Sequence, residues 1–409
     1  MDDEDRRSRG ARPIVLVLTD HYLPGFRHGG PIRSIQNLVS SLGAEFDFRI
    51  LTRDRDVGSE APYPMVRPGE WQAVEGCLVR YLPPGDIIPG LRRLLRSTTH
   101  DVLYLNSYFS PAFSILPLLL RRFHVVPRTP LVIAPRGEFS PAALGIKSPK
   151  KRAWDLVARA LGLYRDAFWQ ATSIEESRQI EAAVGDRAKV RLAPILSRQT
   201  EDDGPTNSEH TKPKVPGTAR IVFFSRIAPM KNLAFALSVL DGRSTGNVTF
   251  DIFGVIDDTA YWAECQRRIS KSHGQYVAIT YKGELPHEEV RSTLSRYDVL
   301  LMPTRGENFG HVILEALSSG CPVAITDKTP WTDVENEGAG WVIPLADEER
   351  WRATVEEVVN ADEETLRLLR NGAMKLARSR SSDPGDIDLN RWLFGEASRF
   401  RRRGGPRTN

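Results

Sequence analysis

The chain has 409 residues, 41% hydrophobic and 26% charged, an ordinary globular balance with material for two or three domains. No stretch approaches the ~20 apolar residues of a membrane-spanning helix; the best candidate, Phe113 to Leu120, stops at Arg121 and Arg122. Cys77, Cys265 and Cys321 are far apart and form neither a metal nor a disulfide pattern, which fits a reducing compartment.

The net charge of +4 conceals an asymmetry: residues 1–200 hold 29 Lys+Arg against 21 Asp+Glu, and the remainder 27 against 31. The excess lies between 87 and 153, in GLRRLLRS, LLLRRF and KSPKKRAW. Basic residues beside Leu and Trp suit an anionic membrane surface, and equally a solvated helix face or a site for a polyanionic substrate. No nucleic-acid-binding motif accompanies them.

From the N-terminus, MDDEDRRSRGAR is charged, and IVLVLTD (14–20) reads as a strand rather than a signal-peptide core; the expectation is a cytoplasmic protein, with the inner face of the cell membrane as a candidate location. The helical spacing of SIQNLVSSL follows, then the strands FRILT (48–52), DVLYLNS (101–107) and LVIAP (131–135). Short apolar runs of this kind suit strands covered on both faces of a parallel sheet. Helices are expected from about Lys150 to Tyr164 and from Glu175 to Val184.

Residues 198–218 are rich in Pro, Gly and polar residues and read as a linker. The alternation then restarts. Strands are expected at IVFFS (221–225), TFDIFG (249–254), VAITYKG (277–283), VLLMP (299–303), CPVAIT (321–326) and WVIPL (341–345). Helices are expected from Asn232, around 260–270, around 287–295 and at 310–319. Two βα arrays predict an α/β protein of two doubly wound domains with a ligand in the cleft between them, outside the strand ends. The expected boundaries are a disordered segment 1–12, a first domain 13–200, a linker 201–218, a second domain 219–385, and a helix with a basic tail at 386–409.

The strand ends carry the chemistry. Gly29 and Gly30 precede Pro31 and a helix start, where free N–H groups bind anions. In SRIAPMKNL, Arg226 and Lys231 bracket a loop that opens a helix, a pair suited to a diphosphate. In TRGENFGHVILE, Glu307 ends a strand and Glu315 lies one turn into an otherwise apolar helix, on a stripe with His311, Ser318 and Ser319. The stripe either faces water or offers carboxylates to a ligand's hydroxyls. A ligand rich in hydroxyls and phosphate, a nucleotide sugar, would use all of these groups. DRD at 54–56 is formally an Asp-x-Asp, but Arg53 and Arg55 flank it and no metal is expected there.

SRIAPMKNL, GVIDD and PTRGENFGHVILEALSSGCPV together resemble the retaining nucleotide-sugar glycosyltransferases often called family 4, which have the GT-B fold. Glu307 to Glu315 matches that family's E-x7-E motif. The likeness extends through GGPIRS, LNSYFSPAF and APRGEFSPAALGIKSPKKRAW, about residues 14–380. The resemblance implies two Rossmann-like domains facing across a cleft. Arg226 and Lys231 would hold and stabilise the donor diphosphate, and Glu315 the ribose hydroxyls. Glu307 would serve the donor sugar, with Gly254, Asn308, Phe309 and Gly310 at the donor. Gly29 and Gly30 would touch the donor from the other domain. Arg136, Glu138 and Asn106 would contact the acceptor or a phosphate. The 389–400 segment would cross back to the first domain.

The chain departs from the pattern at Asn106-Ser107, where many relatives have His, and at Thr329–Trp331, where a Gly-rich loop is common. No cofactor or metal is implied. The implied partners are a nucleotide sugar, a glycan or lipid-linked acceptor and an anionic membrane surface. The implied setting is bacterial surface polysaccharide synthesis. Rival readings are a sugar-phosphate synthase with a soluble acceptor, a phosphorylase or epimerase on the same fold, and a non-catalytic nucleotide-sugar-binding subunit.

Overall fold

A computed structural model describes residues 12–145, 148–185, 188–197, 213–271, 276–380 and 383–404. The 1–11 segment, residues 201–212 of the expected linker and the end of the basic tail lie outside the described residues. The chain divides into two compact units, Met1–Arg198 with Ser382–Asn409, and Gln199–Ser381.

Unit 1 contains β1 (Ile14–Leu18), α1 (Gly30–Leu42), β2 (Asp47–Arg53), β3 (Trp71–Val74), β4 (Cys77–Leu82), α2 (Ile87–Ser97), β5 (Val102–Asn106), α3 (Leu116–Arg122) and β6 (Leu131–Ala134). The short α4 (Pro141–Gly145), α5 (Ser148–Ala160), β7 (Ala167–Ala171), α6 (Ile174–Val184) and β8 (Lys189–Leu192) complete its first stretch. The strand order is β3-β4-β2-β1-β5-β6-β7-β8. All neighbours are parallel except the β3–β4 hairpin. Period-2 alternation divides each central strand between two cores. Val15, Val17, Val102 and Tyr104 point into one, and Leu16, Leu18, Leu103 and Leu105 into the other.

Unit 2 begins with β9 (Thr218–Phe224), α7 (Leu233–Leu240), β10 (Asn247–Phe253), α8 (Thr259–Lys271), β11 (Val277–Gly283), α9 (His287–Leu294) and β12 (Val299–Met302). It continues with α10 (His311–Ser318), β13 (Val323–Ile325), β14 (Gly340–Val342), α11 (Glu348–Asn360) and α12 (Glu363–Arg380). Its sheet, β11-β10-β9-β12-β13-β14, is wholly parallel. Ile221 and Phe223 face one core and Val222 the other.

The last helix, α13 (Pro384–Gly404), returns to unit 1. Leu393, Phe394 and Ala397 enter its core, with Phe394 edge-on to Phe48 and Tyr104. Truncating such a buried Phe costs about 3–5 kcal/mol.

Several elements were absent from the sequence reading. Strands β3 and β4 form a hairpin turned by Glu75 and Gly76, both at positive φ; such a two-residue turn matches strand twist. Strand β7 contains a polar Gln170, whose amide is bonded inside the unit. The apolar run Phe113–Leu120 is helical, with Phe113 and Leu118 under the sheet.

Candidate active site

In each sheet the strand order reverses beside the first strand, at β1/β5 in unit 1 and at β9/β12 in unit 2. Loops at the carboxyl ends of such strands diverge and leave a crevice for ligands. In unit 2 this places SRIAPMKNL beside TRGEN. The Arg305 N–H and the Thr304 hydroxyl both donate to the Met230 carbonyl, at 2.9 and 3.2 Å, and Asn232 Nδ2 donates to Pro303 O at 3.0 Å. Asn232 adopts a left-handed conformation (φ 60°) as it opens α7.

Lys231 Nζ donates to Glu307 Oε1, with side chains 14% and 12% exposed. Arg226 pairs with Asp257 at 2.7 Å and is 40% exposed. The two cations expected to bind a diphosphate are thus each held by a carboxylate. Asp257 was not singled out from the sequence, though it stands in the GVIDD loop.

The Glu307 N–H donates to Lys328 O at 3.0 Å, and the loop then passes through Asn308 and Phe309 to Gly310. Gly310 caps α10 at φ 79°; a Cβ there would meet Ile313 at 2.8 Å. The helix buries Ile313, Ala316 and Leu317. Glu315 stands on its partly exposed side, 26% exposed and 3.6 Å from His287 Nδ1. Ser319, expected on the same polar stripe, is instead buried and donates to the Glu315 carbonyl at 2.6 Å.

Thr329 and Trp331, where the chain departs from the family's Gly-rich loop, are buried. Trp331 Nε1 donates to Phe309 O at 2.6 Å and its ring packs on Phe309. Trp331 therefore holds the loop that ends at Gly310. Gly254 has φ 139°, and a Cβ there would lie 1.9 Å from Ser225 O; close approach of two strand ends suffices to require glycine.

In unit 1, Gly29 caps α1 at φ 64°, open on its Cβ side, and Gly30 is the first helical residue. Nearby, Asp20 pairs with Arg53 at 3.1 Å and His21 Nδ1 lies 3.2 Å from Arg55 O. Asp54 pairs with Arg55, and Asp56 accepts the Phe26 and Arg27 N–H groups. Among the described residues no group of His, Cys, Asp and Glu is arranged to hold a metal ion.

The ends of β5 and β6 bring Asn106, Arg136 and Glu138 together. Arg136 Nε and Nη2 donate to Asn106 Oδ1 at 3.1 and 2.8 Å, and Nη2 to Tyr104 OH at 2.8 Å. Glu138 accepts from the Ser107 hydroxyl and the Tyr108 and Phe109 N–H groups, so it braces the loop after β5. Tyr104, its phenol pushed up by burial, donates to Gln170 at 2.5 Å. Gln170 Nε2 donates to Asn390 Oδ1 on α13 at 3.2 Å. The sequence held a signal for this chain of bonds: Asn390 shares the helical stripe of Leu393, Phe394 and Ala397.

Residues 206–375 match the model of the glycosyl transferases group 1. That stretch of unit 2 is similar to the group 1 glycosyl transferases. The match covers all of the Arg226–Lys231 and Glu307–Glu315 geometry.

A 41.2 kDa protein of the cps region of Klebsiella pneumoniae is 23% identical over 255 residues, 60% of this chain and 65% of that protein. The chain thus spans just under two thirds of that relative's length. Among solved structures, sucrose-phosphate synthase from Thermosynechococcus elongatus superposes at a TM-score of 0.69 with 16% identity, over 94% of this chain and all of that one. HepE of Anabaena, in complex with UDP and glucose, superposes at 0.66 with 14% identity, over 95% of this chain and all of that one. The fold is that of the GT-B glycosyltransferases. Among the described residues no helix is long and apolar enough to cross a membrane.

Proposed function

We propose that this chain transfers a sugar from a nucleoside diphosphate sugar to an acceptor hydroxyl with retention of configuration, in the synthesis of a bacterial surface polysaccharide. The observation that carries the reading is the meeting of Lys231 and Glu307 at the β9/β12 switch point, with Arg226 in the β9 loop and Glu315 on the helix that follows. The HepE complex with UDP and glucose and the cps-region relative support the donor class and the setting.

In this reading the bond from the anomeric carbon to the diphosphate oxygen breaks, and the acceptor oxygen bonds to that carbon. The acceptor's proton passes to the departing diphosphate. Charge develops on the diphosphate, where Arg226, Lys231 and the amides at the start of α10 stabilise it without a metal; fixed donors of this kind are usually the largest catalytic contribution. Glu307 serves the sugar and Glu315 the ribose. Arg136 and Asn106 serve the acceptor.

The test is turnover of a panel of nucleoside diphosphate sugars in EDTA, with the anomeric configuration of the product read by NMR. Loss of turnover in EDTA removes the metal-free mechanism, and an inverted product removes retention. A soluble sugar phosphate as acceptor is the second reading, favoured by the likeness to sucrose-phosphate synthase; turnover with a free sugar phosphate selects it.

A lipid-linked acceptor calls for a membrane-facing surface. Helices α2 and α3 pack side by side and leave Ile88, Arg92, Arg93, Arg96, Arg122 and Phe123 exposed, although Arg93 also pairs with Asp86. Vesicles containing anionic lipid should sediment the protein at low salt, and Arg92→Glu with Arg96→Glu should prevent it. No sedimentation of the wild type rejects the membrane part alone.

A further inference from the structure

We propose that Asp257 is a positioning residue for Arg226: it holds the guanidinium at one nitrogen and so leaves the side-on pair of N–H groups set for a phosphate of the donor. The proposal rests on the reading of the β9 loop as the diphosphate site. It adds a residue from the neighbouring loop, after β10, that sets the geometry of that site.

The backbone brings the two side chains together. Ile227, the residue after Arg226, is fully buried. Its N–H donates to Val255 O at 2.8 Å, and its carbonyl accepts the N–H groups of Asp257 and Asp258, both at 3.2 Å. Ile227 and Ile256 also form a parallel bridge. Three backbone bonds thus clasp the loop after β10 to the loop after β9. The neighbouring carboxylate is used elsewhere: Asp258 Oδ1 accepts the Tyr261 N–H at 2.9 Å in the first turn of α8. The pairing of Arg226 with Asp257 is therefore built on fixed backbone.

The contact is one-sided. Arg226 Nη1 donates to Asp257 Oδ2 at 2.7 Å, while Nε and Nη2 make no bond among the described residues. Nε and Nη2 form the side-on fork of a guanidinium, which matches two oxygens of one phosphate. A carboxylate on Nη1 leaves that fork open.

Arg226 is 40% exposed, and an exposed arginine without a partner samples many rotamers. That freedom is lost when a phosphate binds. Asp257 removes part of it beforehand. The carboxylate also opposes the diphosphate's charge, but at 32% exposure water screens much of that repulsion.

The experiment separates orientation from charge. The full chain in EDTA is titrated by calorimetry with UDP, GDP, ADP and TDP, and the tightest of the four is carried to the variants. Asp257→Asn and Asp257→Ala remove the same charge, but only Asn keeps an oxygen for Arg226 Nη1. Kd should be about fivefold higher in Asp257→Ala than in Asp257→Asn. Both ligand-free melting temperatures should stay near wild type, because the pair is exposed. With Arg226→Gln added to each, the difference should disappear. Equal Kd values in the two variants would make Asp257 an opposing charge only and overturn the proposal, as would a difference that persists in Arg226→Gln. Failure of the donor reading is visible separately, as wild-type protein that binds none of the four nucleotides, or binds one equally well in Arg226→Gln.

Discussion

Lys231 and Glu307, 76 residues apart in the chain, form an ion pair between the loops after β9 and β12. Neither is fully exposed, so each neutralises a charge that would otherwise be partly desolvated. In the proposed reading, the pair keeps a cation ready for a diphosphate while the carboxylate stays beside it for the sugar.

The two partners should therefore behave differently. Lys231→Met leaves Glu307 without its partner and should cost about 2 kcal/mol of stability as well as activity. Glu307→Gln retains an oxygen for Lys231, so its melting temperature should stay near wild type while kcat falls by about 10²-fold or more. Thermal melts with steady-state kinetics separate the two; equal melting losses in both variants would reject the asymmetry.

Trp331→Phe keeps the ring and removes the donor to the Phe309 carbonyl. The loss should be about 1 kcal/mol, or about 2–4 °C in melting temperature for a unit of this size. Because that carbonyl precedes Gly310 and α10, KM for the donor should rise more than kcat falls. A change confined to stability would make Trp331 a core residue only.

The α/β alternation and the site loops of unit 2 were legible because each strand is a compact apolar run and each loop carries its polar residues in sequence. The ion partners were not, since Asp257 is 31 residues from Arg226 and only the sheet order brings Glu307 to Lys231. Trp331 looked like a departure from a Gly-rich loop; its role depends on a bond to a carbonyl that no pattern encodes. Gln170 and Asn390 were legible only in hindsight, as polar residues on apolar faces.

Gln170→Leu tests that buried chain of bonds. It removes the acceptor of the Tyr104 hydroxyl and the donor to Asn390, and should cost about 2 kcal/mol or more. Glu396→Gln, on the same helix α13, weakens only the part-exposed pair with Arg191 and should cost less than about 1 kcal/mol. If Gln170 positions Arg136, acceptor KM should rise in Gln170→Leu and stay unchanged in Glu396→Gln. Equal KM values in both would limit Gln170 to a structural role.

His21 should give the loop after β1 a pH-dependent contribution to stability. Burial lowers its pKa below the ordinary 6.5, against a raising contact with the Arg55 carbonyl and the nearby Asp20 and Asp56. With the folded pKa below the unfolded one, the stabilising contribution is present above pH 6.5 and is lost as pH falls through the folded value. Melting temperature measured downward from pH 7.5 should drop less in His21→Gln than in wild type. Parallel curves would show that His21 does not set this dependence.

The most direct test of a donor site on unit 2 is a thermal-shift titration of nucleoside diphosphates in EDTA, comparing wild type with Glu315→Ala. Glu315 is partly exposed, so the variant without ligand should melt within about 0.5 kcal/mol of wild type. One nucleoside diphosphate should raise the wild-type melting temperature, by about 2.7 kcal/mol of stabilisation at a hundredfold excess over Kd, and the rise should vanish in Glu315→Ala. No rise in wild type, or a rise of the same size in the variant, would contradict the assignment.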